Sequence, residues 1–388
     1  MRHETQVELA RTLLAQLAAK EPLRRDIVGS APAAAYTSVE HLDRELDAVL
    51  SRWPQLLALS TDLPAPGSFV VRDTPAMSVL LSRDVDGVVH ALANVCRHRG
   101  ARVAEGRGSA RRFTCPYHAW SYGLTGSLAA IPDRESFPDV ELGCGLPRLP
   151  VVEGQGMIWA IPRLDARTFD AEGLQSSLGA IGDDLEAHDL AQYGHWRTHR
   201  FELDLNWKLV LDTFLEPYHF ASLHRNTVGP IFVSNLCTAD RVGNHVREVL
   251  PRSSLVGFSE LPEAQWDLVA HSAIVYVLFP AVVLVVQVDH IEVWRVQPRP
   301  GEPGRSICDL DFYVPGPRSE RADAHWERNW QLTIDTVLRE DFHAMAGVQA
   351  NLASGALDRL TFGRNEPALA LFHDALDDAM AIGGEDWS

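Results

Sequence analysis

Cys96-Arg97-His98 and Cys115-Pro116-Tyr117-His118, with sixteen residues between them, decide the fold. Each short stretch offers one thiolate and one imidazole from a tight loop. Two Cys and two His suit a [2Fe–2S] cluster in which the thiolates hold one iron and the imidazoles the other. Neutral imidazoles in place of two thiolates remove negative charge, so such a cluster accepts an electron more readily than one held by four Cys. Zinc takes the same ligand types, but zinc fingers draw their cysteines from one pair and their histidines from the other. Here each loop supplies one of each, which favours iron and sulfur.

The flanking residues narrow the reading. Asn94-Val95-Cys96-Arg97-His98-Arg99-Gly100, followed by Cys115-Pro116-Tyr117-His118-Ala119-Trp120, resembles the Rieske domain of ring-hydroxylating and related non-haem iron oxygenases. Rieske proteins of respiratory complexes carry an extra cysteine in each loop. Arg99, Gly100, Pro116 and Tyr117 stand in those places here. The resemblance runs along nearly the whole chain.

At 388 residues the chain has room for two domains with their own cores. Hydrophobic residues make up 46% and charged residues 22%, the composition of a globular protein. Five cysteines are too few and scattered for a disulfide framework; beyond the cluster pair, Cys144, Cys237 and Cys308 are expected to be buried thiols in a reducing cytoplasm. The first twenty residues carry Glu4 and Glu8 and no apolar core, so they do not read as a signal peptide. The uncharged run from Ala273 to Val286 is too short to span a membrane and reads as two buried strands turning at Pro280. A net charge of −17 argues against a nucleic-acid partner, whose phosphates it would repel.

Residues 4–20 and 38–53 show helical spacing of apolar residues. From Phe69 the period shortens to strands, with Asp86-Gly87 as a hairpin turn. Further on, a helical stretch at 174–188, a strand at 199–205, strands from Arg247 to Val314 and a long helical pattern from Ala322 to Leu352 follow. Strands and then long helices indicate an α+β protein. The expected division is an N-terminal helical segment (1–44) packing on the catalytic domain, a mostly antiparallel Rieske domain (45–162) and a catalytic domain (163–388). The resemblance implies a helix-grip fold for the last, a curved antiparallel sheet against helices with a cavity between.

The segment Asn206-Trp207-Lys208 to His224 carries the second site. An oxygenase iron takes two histidines and one carboxylate on one face and leaves open positions opposite. His219 and His224 are five apart, which on a regular helix separates their side chains by about 140°, so the helix must bulge or break, with Pro217 close by. The pattern N-W-K, an acid, then E-x-Y-H-x-x-x-x-H resembles the iron segment of the oxygenases. The resemblance implies a carboxylate ligand in the Glu340-Asp341 pair, assigned to Asp341 with Glu340 next in line. On composition alone the pair reads as a solvated helix face.

Carried over, Glu216 would link His118 of one subunit to His219 of its neighbour, and Asp212 would stand behind the iron residues. In this chain Asp212-Thr213 replaces the usual Glu-Asn. The resemblance implies a terminal oxygenase component, forming a head-to-tail homotrimer. It would use O2 and electrons relayed from NAD(P)H by a separate flavin and iron–sulfur reductase or a ferredoxin. No G-x-G-x-x-G follows a strand, so no nucleotide site of its own is evident. Glu216 favours hydroxylation or oxidative demethylation of a small organic substrate, an aromatic acid or a methylated amine; cis-dihydroxylation of an aromatic ring is the alternative. A pure electron carrier would leave the second half of the chain unused, and a metal-free helix-grip binder would need no His219, His224 and Asp341. Tyr276, Phe279, Val285 and 291–294 are expected to line or back a largely apolar cavity, with Trp207, Tyr218 and Trp294 as candidate aromatic faces.

Overall fold

The Asp86-Gly87 turn joins the strands Ser78–Arg83 and Val89–Ala93, with Gly87 at φ +83°, a conformation that favours glycine. These strands and Ser68–Asp73 form the centre of a five-stranded antiparallel sheet. The computed structural model describes residues 1–141, 143–316 and 319–382; the last six residues of the expected catalytic domain lie outside them. The chain divides into two compact units, Leu50–Ser176 and a larger one formed by Met1–Val49 with the chain from Ser177 onward.

In the smaller unit, side chains alternate across the central sheet. Val79, Leu81 and Ala91 pack with Leu57, Ile158 and Ala160 of a second sheet, while Leu80 and Leu92 face a core holding Cys96, Cys115, Trp120 and Tyr122. The two Cys-His loops are closed by the same turn. The carbonyl of Cys96 accepts from Gly100 N at 2.9 Å and that of Cys115 from Ala119 N at 3.0 Å, with Gly100 and Ala119 at φ +77° and +58°. Cys144 departs from expectation: it is exposed, in a glycine-flanked turn, whereas Cys237 and Cys308 are buried.

The larger unit is built on a seven-stranded antiparallel sheet. Its strands are β1 (Tyr193–Leu203), β2 (Thr238–Val242), β3 (His245–Pro251), β4 (Ser272–Leu278), β5 (Val282–Val286), β6 (Ile291–Arg299) and β7 (Glu302–Pro315). Their spatial order is β1-β7-β6-β5-β4-β3-β2. The apolar run at 273–286 is the β4–β5 hairpin, turning at a cis Phe279-Pro280 bond. The α+β expectation is met.

The helix Trp207–Asp212 enters beside the sheet for reasons legible in its first residues. The Asn206 side chain caps it, accepting from Lys208 N at 2.9 Å. Trp207 Nε1 donates to Glu45 at 2.8 Å and Lys208 Nζ to the same carboxylate at 2.6 Å, all of them buried. Removing one partner of a buried pair such as Lys208–Glu45 costs about 3–5 kcal/mol, so the N-W-K motif anchors the segment that follows. The long C-terminal pattern is the helix Glu320–Thr336, a π-helical turn Val337–Asp341 and the helix Phe342–Ala353.

Candidate metal centre

The helix that starts at Trp207 stops at Asp212, and the chain runs on in turns through His219 and His224. This release from helical geometry lets both rings meet. His219 Nε2 and His224 Nε2 lie 3.0 Å apart. Asp341 Oδ1 lies 3.1 Å from the Nε2 of His224 and 3.4 Å from that of His219. Among the described residues this is the one group of three or more His, Cys, Asp or Glu donors gathered within 4.8 Å.

The π-helical turn explains how neighbours in sequence serve one imidazole. Its extra residue widens the helix, and Glu340 and Asp341 reach opposite nitrogens of His224. Glu340 Oε2 accepts from His224 Nδ1 at 2.6 Å and from Thr227 Oγ1 at 2.7 Å. Glu216 Oε1 accepts from His219 Nδ1, while its Oε2 accepts from the backbone N–H of Tyr218 at 2.7 Å and His219 at 3.1 Å. Carboxylates only accept, so both Nδ1 atoms carry a proton, and Nε2 is the atom each ring would offer to a metal beside Asp341 Oδ1. Burial opposes charge on His219, but Asp341 and Glu216 outweigh it and push its pKa up to about 10, so without a metal a proton sits between its Nε2 and Asp341, and a bound cation would displace that proton. Three acceptors facing one point call for a cation, and the two-histidine, one-carboxylate set fits iron(II).

Asp212 Oδ1 lies 3.0 Å from His373 Nε2 and its Oδ2 accepts from Tyr36 Oη at 3.3 Å; neither bond goes to His219 or His224.

In the smaller unit Cys96 and Cys115 are buried, and the His98 and His118 rings stand 4.6 Å apart. His98 stacks on Trp120 at 5.0 Å, and its buried Nδ1 has no hydrogen-bond partner. Burial first, then His118 and Arg99, holds the His98 pKa below the usual histidine range, which keeps the ring neutral. Tyr122 Oη lies 3.2 Å from Cys96 Sγ and accepts from Arg97 N at 2.9 Å. The orphaned nitrogen of a neutral His98, with His118 beside it and two buried thiols, fits a [2Fe–2S] cluster at Cys96, His98, Cys115 and His118.

The His219–His224–Asp341 group lies at a cavity of about 400 Å³ between the sheet and the helix Glu320–Thr336. Val275 and Val285, paired across β4 and β5, line it together with Phe214, Phe220 and Phe232. Tyr276 points to the other face of the sheet, where its hydroxyl meets His188, and Phe279 and Trp294 are buried outside the lining. Trp207 is committed to Glu45 and Tyr218 is exposed, so none of the three candidate aromatic faces lines the cavity. The wall is also more polar than the apolar strands suggest, with Arg252, Gln287, Asp289, His290 and Glu292 on it. Of these, only Glu292 marks itself as a charge inside an apolar strand pattern; Arg252, Gln287, Asp289 and His290 lie just beyond the strand ends.

Known proteins show the same architecture. The profile of the ring-hydroxylating alpha subunit (catalytic domain) matches residues 189–382, and that of the Rieske [2Fe-2S] domain residues 53–150. Choline monooxygenase of Atriplex hortensis is 29% identical over 236 residues, 59% of this chain and 53% of the relative. The carnitine monooxygenase oxygenase subunit of Acinetobacter baumannii is 31% identical over 209 residues, 51% and 53% of the two chains. The large oxygenase component of salicylate 5-hydroxylase from Ralstonia sp is 27% identical over 308 residues, 69% and 71% of the two. The chain thus spans about half the length of the first two relatives. The crystal structure of the quaternary ammonium Rieske monooxygenase CntA superposes with a TM-score of 0.77 at 20% identity, covering 91% of this chain and 96% of the other. Naphthalene 1,2-dioxygenase from Rhodococcus sp. gives 0.74 at 17% identity, covering 96% and 98%. The two matched domains imply a [2Fe–2S] cluster and a mononuclear iron. With the catalytic profile matched over half of its length, the chain belongs to the family of ring-hydroxylating Rieske oxygenase alpha subunits.

Proposed function

We propose that this protein is the terminal oxygenase component of a system that hydroxylates or oxidatively demethylates a small organic substrate with O2. The observation that carries the reading is the convergence of His219 Nε2, His224 Nε2 and Asp341 Oδ1 on one point at the cavity wall. Iron held there supplies dioxygen activation, and the cluster supplies electrons one at a time. The chain's own residues do the rest. Glu216 and Glu340 fix the tautomers of the two histidines by accepting from their Nδ1 atoms. Phe214, Phe220 and Phe232 keep water from the reacting carbon and orient an apolar substrate body. Thr336 adds a buried hydroxyl with no hydrogen-bond partner, which can donate to a substrate or a water, whereas Thr213 and Thr333 already donate to Val210 O and Glu292.

Electrons are proposed to come from a separate NAD(P)H-dependent reductase or ferredoxin, and to pass between subunits of a head-to-tail homotrimer. A monooxygenase of this fold has been described with inter-subunit electron transfer. Glu216, half-buried and already bonded to His219, is the residue proposed to receive His118 of the neighbouring subunit. Unpaired thiols at Cys237 and Cys308 support a reducing, cytoplasmic setting. No helix among the described residues is long and apolar enough to cross a membrane.

Relatives acting as monooxygenases and a hydroxylase favour monooxygenation over cis-dihydroxylation. The test is a substrate screen with a generic reductase, scoring substrate-dependent O2 uptake, hydroxylated product, formaldehyde and cis-diol. A hydroxylated or demethylated product supports the proposal; a cis-diol as sole product replaces it with dihydroxylation.

A further inference from the structure

The charges on the cavity wall pair off with one exception. Asp289 Oδ1 lies 2.8 Å from His290 Nδ1, and its Oδ2 lies 2.6 Å from His325 Nε2. Glu292 Oε1 lies 3.3 Å from His290 Nε2 and accepts from Thr333 at 2.9 Å; its Oε2 accepts from Trp294 Nε1 at 2.9 Å. His290 therefore stands between two carboxylates. Although burial opposes its charge, they hold its pKa above the usual histidine range. Both acids are thus satisfied. Arg252 is not: its Nη2 donates to Gln287 Oε1 at 2.9 Å and its Nε to Ser272 O at 3.4 Å, both neutral acceptors. Among the described residues no carboxylate oxygen lies within ion-pair distance of that guanidinium.

A half-buried cation on which Asp289 acts only from beyond ion-pair distance is costly to keep, and guanidinium groups are suited to grip carboxylates with parallel N–H donors. By turning its carbonyl to Arg252, Gln287 leaves its amide N–H groups free to donate on the same wall. Aromatic contacts lead from this point to the metal residues. Arg252 lies 5.1 Å over the Phe232 ring, Phe232 stands 5.5 Å from Phe220, and Phe220 stands 5.4 Å from His224. An apolar body beside these rings would have one end at the guanidinium and the other at His219, His224 and Asp341.

We infer that the substrate is a monocarboxylate with an apolar, ring-sized body, its carboxylate held by Arg252 and Gln287 and its reacting carbon at the far end. A quaternary ammonium substrate fits this wall poorly: both wall acids are engaged, and no Trp or Tyr lines the cavity. The inference rests on the oxygenase reading and gives it a substrate class.

The test is calorimetric binding to the cluster- and iron-loaded protein under anaerobic conditions. The probes are benzoate, phenylacetate and 3-phenylpropanoate, the amide of each, and benzyltrimethylammonium. At least one carboxylate should bind on the order of 10- to 100-fold more tightly than its amide. Arg252→Gln should erase that preference while leaving cluster spectrum and iron content unchanged, and Arg252→Lys should restore part of it. Equal affinity for acid and amide, tighter binding of the cation, no binding of any carboxylate, or a preference that survives in Arg252→Gln would each overturn the inference. The wild-type comparison needs no variant to fold. Loss of the oxygenase reading would look different, as protein without mononuclear iron.

Discussion

His224 Nδ1 donates to Glu340 Oε2 across 2.6 Å, while the adjacent Asp341 approaches the Nε2 of the same ring at 3.1 Å. Two consecutive acids thus serve one histidine in different ways, one orienting it and the other placed to share its metal. Glu340→Gln should weaken iron binding by about 10- to 100-fold, the range for residues that orient a metal-binding histidine. Titration of the apo site with iron(II) checks this. Unchanged affinity in Glu340→Gln, with loss in Asp341→Asn, would leave Asp341 as ligand but remove the orienting role.

Glu216 is bonded to His219 and is the proposed link to the neighbouring subunit's cluster. Glu216→Gln should keep both metals and slow reduction of the mononuclear site, because an amide oxygen and NH2 cannot accept from two imidazoles. Rapid-mixing kinetics with a pre-reduced cluster give the rate, and a wild-type rate in the variant would rule out the bridge.

Tyr122 Oη lies 3.2 Å from Cys96 Sγ. Hydrogen bonds to cluster sulfurs raise the reduction potential. At about 1 kcal/mol for the lost bond, Tyr122→Phe should lower the midpoint by about 40 mV in a one-electron couple. Spectroelectrochemical titration measures it; no shift, or an upward one, contradicts the contact.

Glu248 on β3 is fully buried, and neither carboxyl oxygen meets a nitrogen or oxygen donor; only the Cys237 thiol stands beside it. Burial pushes its pKa up from 4.5 to about 8. Between those values the folded chain holds a proton that the unfolded chain releases, so stability falls as pH rises toward 8. Each unit of pH costs about 1.4 kcal/mol at most. Glu248→Gln should flatten this fall and raise the thermal midpoint at pH 8 relative to wild type. Parallel melting curves of the two proteins from pH 5 to 8.5 would contradict it.

Much of this was legible from residue types and spacing. The mixed Cys-His loops named their cofactor, the β4–β5 hairpin showed in an apolar run interrupted by Pro280, and five-residue spacing at His219 and His224 required a broken helix. Less legible were features that depend on backbone detail or on strands meeting across the sheet. The π-helical turn that lets Glu340 and Asp341 flank one ring leaves no mark in an ordinary helical pattern. Tyr276 and Val275 differ only in which side of a doubly buried strand they occupy, so the apolar run alone could not say which lines the cavity. The pairing of Asp289 and Glu292 with His290, and the absence of such a partner for Arg252, comes from β3, β5 and β6 meeting at one wall.

The central claim is that His219, His224 and Asp341 hold an iron distinct from the cluster of the smaller unit. Iron analysis with electron paramagnetic resonance of wild type and His224→Ala tests it most directly. The account predicts about three irons per chain in wild type, with the variant losing one iron and all turnover while its reduced-cluster signal stays intact. Wild type holding only the cluster iron, or His224→Ala keeping full iron content and turnover, would contradict it.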